Sequence, residues 1–456
     1  MSHKVLLHSA GVITMDAQRR QFNRGALLIE DDRIAAVGQS DELLASCAED
    51  VERIDLRGRW LLPGLINTHV HTSQQLGRGL GDDVSLLVWL HERIWPYESS
   101  MTEEDSYVSS LLCGIEQIRS GVTCFAEPGG QFVNGMGRAV SELGLRGILA
   151  KSTMDMGEGL PANWNETTSQ ALEVQIENLE RWHNRADGRV RVWFGLRTIF
   201  NDSDELITRT KALADRYGVG VHMHVAEIRE EVEFARQTRG ATTVTHLDRL
   251  GVLDKNLLAV HSVWLSEDEI ALFAEKDVKV SHNPAAAMRV LGFAKIPEML
   301  KAGVCVTIGT DGAPSNNRMT LIDEMWLTSL IHKGRTLDPT VVTAQEILEM
   351  VTCNGARAVL WEDELGSLQT GKKADLVVVN PNTATMLPMH DPVANMVTSM
   401  RTENIESVMV NGRWLMRERR LLTVNEAEVL EEAKRRAGEI ARRAGIRLPD
   451  RFNLAG

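Results

Sequence analysis

Cysteine is sparse in this 456-residue chain, and what there is does not pair. Cys47, Cys113, Cys124, Cys305 and Cys353 are widely spaced, odd in number and form no CxxC motif. That pattern excludes a disulfide framework and fits buried thiols in a reducing compartment. Long apolar runs are missing too. Stretches such as Leu257 to Val260 are strand-sized, far below the roughly 20 residues of a membrane-spanning helix. Met1-Ser2-His3-Lys4 leads into only a short apolar run, with no signal-peptide core, so the chain reads as cytoplasmic with no membrane partner. Basic residues are outnumbered, 50 Lys and Arg against 63 Asp and Glu, for a net charge of −13. Such a surface argues against nucleic acid, whose phosphates need clustered Lys and Arg. It leaves room for a small nitrogenous substrate. Low-complexity segments and short-period repeats are absent as well.

What is present is an ordered series of short elements. The first sixty residues read as strands: Val5 to Leu7, Gly11 to Met15, then Ala26 to Ile29 pairing with Arg33 to Val37 across Glu30-Asp31-Asp32. From Leu61 to about Ala313, β-rich runs alternate with amphipathic helices. The runs are Gly64–His69, Val122–Glu127, Gly147–Ser152, Val190–Thr198, Gly220–Val225, Leu257–Ser262, Val278–His282 and Val304–Thr310. Helices lie between them, such as Asp204–Tyr217 and Glu267–Lys276, the latter with Ser266 as N-cap. Eight apolar strands alternating with helices predict an α/β fold with a parallel, TIM-like (β/α)8 barrel. Beyond it, Ala374 to Val379 and Ile405 to Val410 return to strands, and a charged helix spans about Glu426 to Ala444. The economical organisation is a barrel over residues 61–365, and a small β-sandwich domain combining residues 1–60 with 366–420. Residues 421–456 form a closing helix and tail.

Barrel enzymes carry their chemistry at the C-terminal ends of the strands. Those ends read His69-Val70-His71, His222-Met223-His224-Val225-Ala226-Glu227, His261-Ser262, Ser281-His282-Asn283-Pro284 and Thr310-Asp311-Gly312. Six of the thirteen histidines fall there. A lone HxH, a lone buried histidine or an Asp-Gly turn means little. Five strand ends carrying such residues in order mean a metal site. Residues two apart on a strand face one side, so His69 and His71 converge. His224 and Asp311 complete three imidazoles and a carboxylate, a set suited to Zn²⁺ with one position open; Fe²⁺ or Mn²⁺ satisfies the same donor types. His222 is the alternative to His224, which is preferred because Glu227 then falls just past the strand, within reach of substrate.

These residues resemble the amidohydrolase superfamily, in particular its deaminase and s-triazine hydrolase branch, over nearly the whole chain. Leu62-Pro63-Gly64-Leu65-Ile66-Asn67-Thr68-His69-Val70-His71 is similar to the first-strand signature, and Gly309 to Asn317 to that of strand eight. Gly366-Ser367-Leu368 and Gly371 to Leu376 resemble the returning β segment. Leu76 to Asp83 and Trp89 to Glu98 are similar to the methylthioadenosine/S-adenosylhomocysteine deaminases; atrazine chlorohydrolase-like enzymes belong to the same branch. The resemblance implies that Trp89 lines a base pocket, that Glu98 holds a ribose-like diol, and that the protein is a homo-oligomer. It breaks after strand four, where Gly195-Leu196-Arg197-Thr198-Ile199-Phe200 puts Arg197 in place of a substrate-contacting His. It breaks again at Ala285-Ala286-Ala287-Met288-Arg289 and at Lys151, where Ser-Asn and Arg are common. Arg197 can engage a carboxylate or phosphate bidentately, or donate to a carbonyl.

The expected protein is therefore a metal-dependent aminohydrolase carrying one Zn²⁺ and acting on a small heterocycle. In it Asp311 accepts a proton from water, His261 polarises the attack, and Glu227 protonates the ring nitrogen. An s-triazine chlorohydrolase or alkylaminohydrolase uses the same constellation with a different leaving group. A non-catalytic metal-binding barrel would be expected to have lost ligands, and none is lost. A binuclear site with a carboxylated lysine is disfavoured, because strand four offers no lysine at its end and Lys151 is misplaced for that role.

Overall fold

The structure is a computed structural model; it describes residues 3–447 apart from 86 and 87, so the last residues of the expected tail lie outside the described chain. Eighteen strands are described, numbered in chain order. β6 (Leu65–Asn67), β7 (Val122–Ala126), β8 (Arg146–Leu149) and β9 (Val190–Val192) form one parallel sheet. β10 (Phe194–Leu196), β11 (Val221–Val225), β12 (Leu257–His261), β13 (Lys279–His282) and β14 (Cys305–Ile308) form another. The two are arcs of one barrel. β9 and β10 are a single run interrupted only at Trp193. At the other seam the Thr68 amide donates to the Ile308 carbonyl (3.2 Å), and the Thr310 amide to the His69 carbonyl (3.0 Å). The eight sequence runs thus become eight barrel positions.

These strands are apolar on both faces because the helices cover the outside and packed side chains fill the inside. Every residue of β11 and β12 is buried. Helix ends are fixed by local chemistry. Ser266 caps Glu267–Glu275 and shares a reciprocal capping box with Glu269, an arrangement that satisfies two otherwise unpaired backbone donors. The helix Asp204–Tyr217 begins after Ser203 and stops at Gly218, whose φ of 65° a glycine adopts without strain.

The chain termini meet in one mixed sheet of nine strands. β1 (Lys4–Ile13), β2 (Gln21–Glu30), β3 (Arg33–Gln39), β4 (Glu52–Asp55) and β5 (Trp60–Pro63) come from the N-terminal side. β15 (Leu376–Val379), β16 (Ile405–Val410), β17 (Arg413–Arg417) and β18 (Arg420–Leu421) come from the C-terminal side. β15 pairs antiparallel with β5, so the last segment is stitched directly to the strand that feeds the barrel. Where a small sandwich is expected, the strands form one continuous sheet, in which the β1–β2 register shifts between Leu7 and Ala10 and between Ala10 and Val12. Residues of both termini, among them Leu7, Leu27, Leu61, Leu376 and Met409, share one apolar cluster.

Candidate metal-centred active site

The ends of β6, β11, β12 and β14 converge on one point. Side-chain donor atoms of His69, His71 and Asp311 lie within 4.8 Å of one another, and so do those of His69, His224 and His261. His69 Nε2 is 3.4 Å and His71 Nε2 is 3.6 Å from the same Asp311 oxygen, Oδ1. The His71 and His224 rings lie nearly parallel, 5.6 Å apart.

Behind this inner set, other groups face the outward nitrogens, within hydrogen-bond distance for His69, His224 and His261. His69 Nδ1 lies 3.1 Å from His222 Nε2, and His224 Nδ1 lies 3.0 Å from the Arg197 carbonyl. His71 Nδ1 lies 3.8 Å from Glu127 Oε1, and His261 Nδ1 is 3.1 Å from the Asn283 amide nitrogen. Such outer partners set which nitrogen faces a metal. The two histidines of β11 differ in position. His224 is in the cluster, and His222 stands behind His69.

The backbone is bent hard to achieve this. Ala226, His261, Ser262 and Asp311 all have positive φ, between 48° and 66°, a region costly for residues with a Cβ and found where surrounding structure holds a functional geometry. Gly309 has to be glycine, because a Cβ there would come within 2.7 Å of His69 Cβ and 2.8 Å of the His69 carbonyl oxygen. That explains its place immediately before Thr310-Asp311.

Electrostatics match the geometry. Burial pushes the His69 imidazole down to about 4, against the pull of Asp311. Burial and then the neighbouring His69 hold His71 and His224 well below the ordinary histidine range. Neutral imidazoles are what metal ligation needs. Burial acts to raise the Asp311 carboxyl, but His69, His261 and His71 outweigh it and hold the group ionised. His69 Nε2 is buried without any hydrogen-bond partner, an anomaly that a cation at the centre removes. Three imidazoles and a carboxylate around an orphaned nitrogen fit a divalent metal ion.

A cavity of about 120 Å³ opens on the cluster, with His71, His224, His261, Glu227 and Asp311 in its wall. Burial, and then Asp311, raise the Glu227 carboxyl to about 7, with Arg197 opposing. Glu227 Oε1 is 3.6 Å from His261 Nε2. Trp89 and Arg197 line the same cavity. Trp89 begins a π-helical turn, Trp89–Ile94, and its indole N–H donates to the Pro314 carbonyl (3.3 Å). Glu98 is not brought to the wall. It is buried, accepts from Gln74 Nε2 (2.8 Å), and it is Gln74 that faces the cavity. Lys151 is paired with Glu166 at 2.8 Å, away from the cluster.

Some groups escaped the strand-end reading. Glu127 closes the Val122–Glu127 run, and its carboxylate accepts from the Thr72 amide and hydroxyl and from the Gly129 amide. Asn283 follows His282. Glu231 accepts from the amides of Ala226 and Glu227, both at 2.8 Å, and so holds the turn that carries Glu227. The signal was available for Asn283, which directly follows His282, and for Glu127 only in its place just past a barrel strand.

A barrel with a His/Asp cluster suited to a divalent metal at the C-terminal strand ends defines a hydrolase class. Residues 60–415 match the amidohydrolase family, and the chain belongs to it. Residues 25–46 match a bacterial imidazolonepropionase-like composite domain. The chain is 37% identical to a 5-methylthioadenosine/S-adenosylhomocysteine deaminase of Moorella thermoacetica, covering 95% of this chain and 99% of that one. It is 36% identical to a 5'-deoxyadenosine deaminase of Methanobrevibacter smithii, covering 91% and 94%. Among solved structures, a zinc-bound adenosine deaminase of Xanthomonas campestris superposes with a TM-score of 0.92 at 27% identity, covering 96% and 99%. The zinc-complexed atrazine chlorohydrolase of Arthrobacter aurescens TC1 gives 0.87 at 25% identity, covering 95% and 100%.

Proposed function

We propose that this protein is a zinc-dependent aminohydrolase, with one ion per chain held by His69, His71, His224 and Asp311. It removes an exocyclic amino group from a nitrogen heterocycle and releases ammonia. The observation that carries this reading is the opening of one cavity onto the His/Asp cluster, with Glu227 and His261 3.6 Å apart in its wall. Bound zinc supplies Lewis acidity and a water that loses a proton near neutral pH.

The chain's own residues do the rest. Asp311, ionised and facing the cluster, takes the proton of the attacking water. The Asn283 amide donates to His261 Nδ1, which places the His261 proton on Nε2, facing the cavity. From there it donates to the oxygen that attacks the ring carbon. Glu227, protonated near neutrality, gives its proton to the adjacent ring nitrogen, so that charge does not build up on the ring. Asp311 then passes the proton it took from water to the departing nitrogen, the C–N bond breaks to release ammonia, and the remaining proton of the added hydroxyl returns to Glu227 as the ring carbonyl forms. Trp89 packs on the ring. The named relatives, deaminases of adenosine derivatives, support a purine-like ring.

An ammonia-release screen of zinc-loaded protein against aminopurines, adenosine derivatives, aminopyrimidines and aminotriazines tests the proposal. Release from none of them would overturn it. The likeness to the atrazine chlorohydrolase supports a second reading, in which chloride or an alkylamine leaves. A parallel chloride assay with a chlorotriazine separates the two.

A further inference from the structure

The cavity contains one cation that no hydrogen bond or ion pair engages among the described residues, although its charge is felt by the carboxyls of Asp202, Glu98 and Glu227. Two arginines line it. Arg289 is engaged, donating to the Pro314 and Ser315 carbonyls (3.3 and 2.5 Å) and to Asp82 Oδ1 (2.6 Å). Arg197 lines the same space, yet among the described residues its guanidinium has no hydrogen-bond or ion-pair partner. Its backbone is anchored at the centre, because its carbonyl receives His224 Nδ1 at 3.0 Å. Its charge reaches inward and opposes the rise of Glu98 and of Glu227. A guanidinium stays charged and presents planar, paired N–H donors that match an in-plane oxygen.

The wall opposite to such a group is also informative. Glu98, the carboxylate expected to hold a sugar diol, is bound to Gln74 behind the wall. Trp89, Trp95 and Phe200 add aromatic faces to the lining, beside the polar Thr198 and Asn201.

We propose that the substrate ring bears an oxygen acceptor, a ring carbonyl or a carboxylate, that is bound by Arg197, so that this chain selects oxo- or carboxy-substituted amino heterocycles over neutral adenosine derivatives. This rests on the aminohydrolase reading for the reaction, but binding alone can test it. A pocket that hydrogen-bonds a substrate group rejects the analogue lacking it, since its own polar group is then left unpaired.

The experiment uses ligand pairs that differ only in the oxygen: guanine against 2-aminopurine for the carbonyl, and 2-aminopyrimidine-5-carboxylate against 2-aminopyrimidine for the carboxylate. Dissociation constants are measured by quenching of the cavity tryptophans on the zinc-loaded full-length protein. The expected result is at least a ten-fold preference for the oxygenated member of one pair, and which pair shows it names the source. In Arg197→Met that preference falls to near unity, and in Arg197→Lys, with charge but no fork, it is intermediate. Thermal melts confirm that both variants are folded. Equal binding within both pairs by the wild type, or a preference that survives Arg197→Met, overturns the inference. An intact Arg197-dependent preference without ammonia release from any ring would sink the aminohydrolase reading and leave this inference standing.

Discussion

His69 Nδ1 and His222 Nε2 lie 3.1 Å apart, both rings fully buried, with His69 Nε2 left facing Asp311. In the proposed centre, one histidine of β11 would orient a ligand, while its neighbour two residues on would be a ligand itself. Substitution should separate the two. His224→Ala is expected to abolish stoichiometric zinc. His222→Gln is expected to retain zinc with affinity weakened ten- to a hundred-fold, the usual effect of losing an outer partner. Metal analysis after dialysis against a graded chelator checks both. Equal loss in the two variants would contradict the assignment.

Glu227 gives a pH signature. Its carboxyl is raised to about 7, so the proton-donating form prevails below that pH and is lost above it. The expected kcat/KM falls on the alkaline side of about pH 7. Glu227→Gln is expected to keep its zinc and lose roughly 10²–10⁴ in turnover, the range associated with one acid–base group. Its residual rate should lack the alkaline limb. Unchanged turnover would remove Glu227 from the mechanism.

Metal removal should cost stability as well as activity. His69, His71, His224 and Asp311 come from three separate barrel strands, and an ion joining them binds only the folded chain. At free zinc about a thousand-fold above its dissociation constant, the stabilisation is about 4 kcal/mol. Differential scanning calorimetry of chelated and re-zincated protein should show the melting temperature drop and recover. A melt indifferent to zinc would contradict a structural link through the centre.

Much of this was legible in the sequence, and the limits have physical causes. The eight barrel strands stood out because burial on both faces produces unbroken apolar runs. The inner ligands stood out because chemistry at strand ends calls for unusual residues there. His222 and His224 were harder to tell apart, since both are two-residue steps on one strand and both are fully buried in metal-site surroundings. Only the position of the neighbouring strand carrying His69 distinguishes them. Glu98 shows the opposite difficulty. Its motif resembles that of relatives, yet the contact with Gln74 depends on how the turn Thr72–Gly77 packs, which no local pattern reveals. Strand four illustrates a third. Val190–Thr198 read as continuous, whereas the regular pairing is interrupted at Trp193 and ends at Leu196, which frees Arg197 to enter the cavity.

The segment Gly371 to Leu376, noted for its resemblance to the family, owes its Asp375 to a buried ion pair. Asp375 receives Arg146 Nε at 2.6 Å and Nη2 at 3.0 Å, and also the Asn411 amide at 2.9 Å. Arg146 opens barrel strand β8, and its side chain is 1% exposed. One carboxylate thus ties the barrel to the terminal sheet, between the start of β15 and the β16–β17 turn. Removing one partner of a buried pair leaves the other charge uncompensated, which costs about 3–5 kcal/mol. Asp375→Asn is expected to destabilise the protein by that amount in urea unfolding, with little change in zinc affinity, because Arg146 opens β8, at the opposite end of the barrel strands from the His/Asp cluster. The double variant Arg146→Met/Asp375→Leu removes both charges and should recover much of the loss. If the single and double variants proved equally unstable, the cost would lie in packing volume and not in the stranded charge.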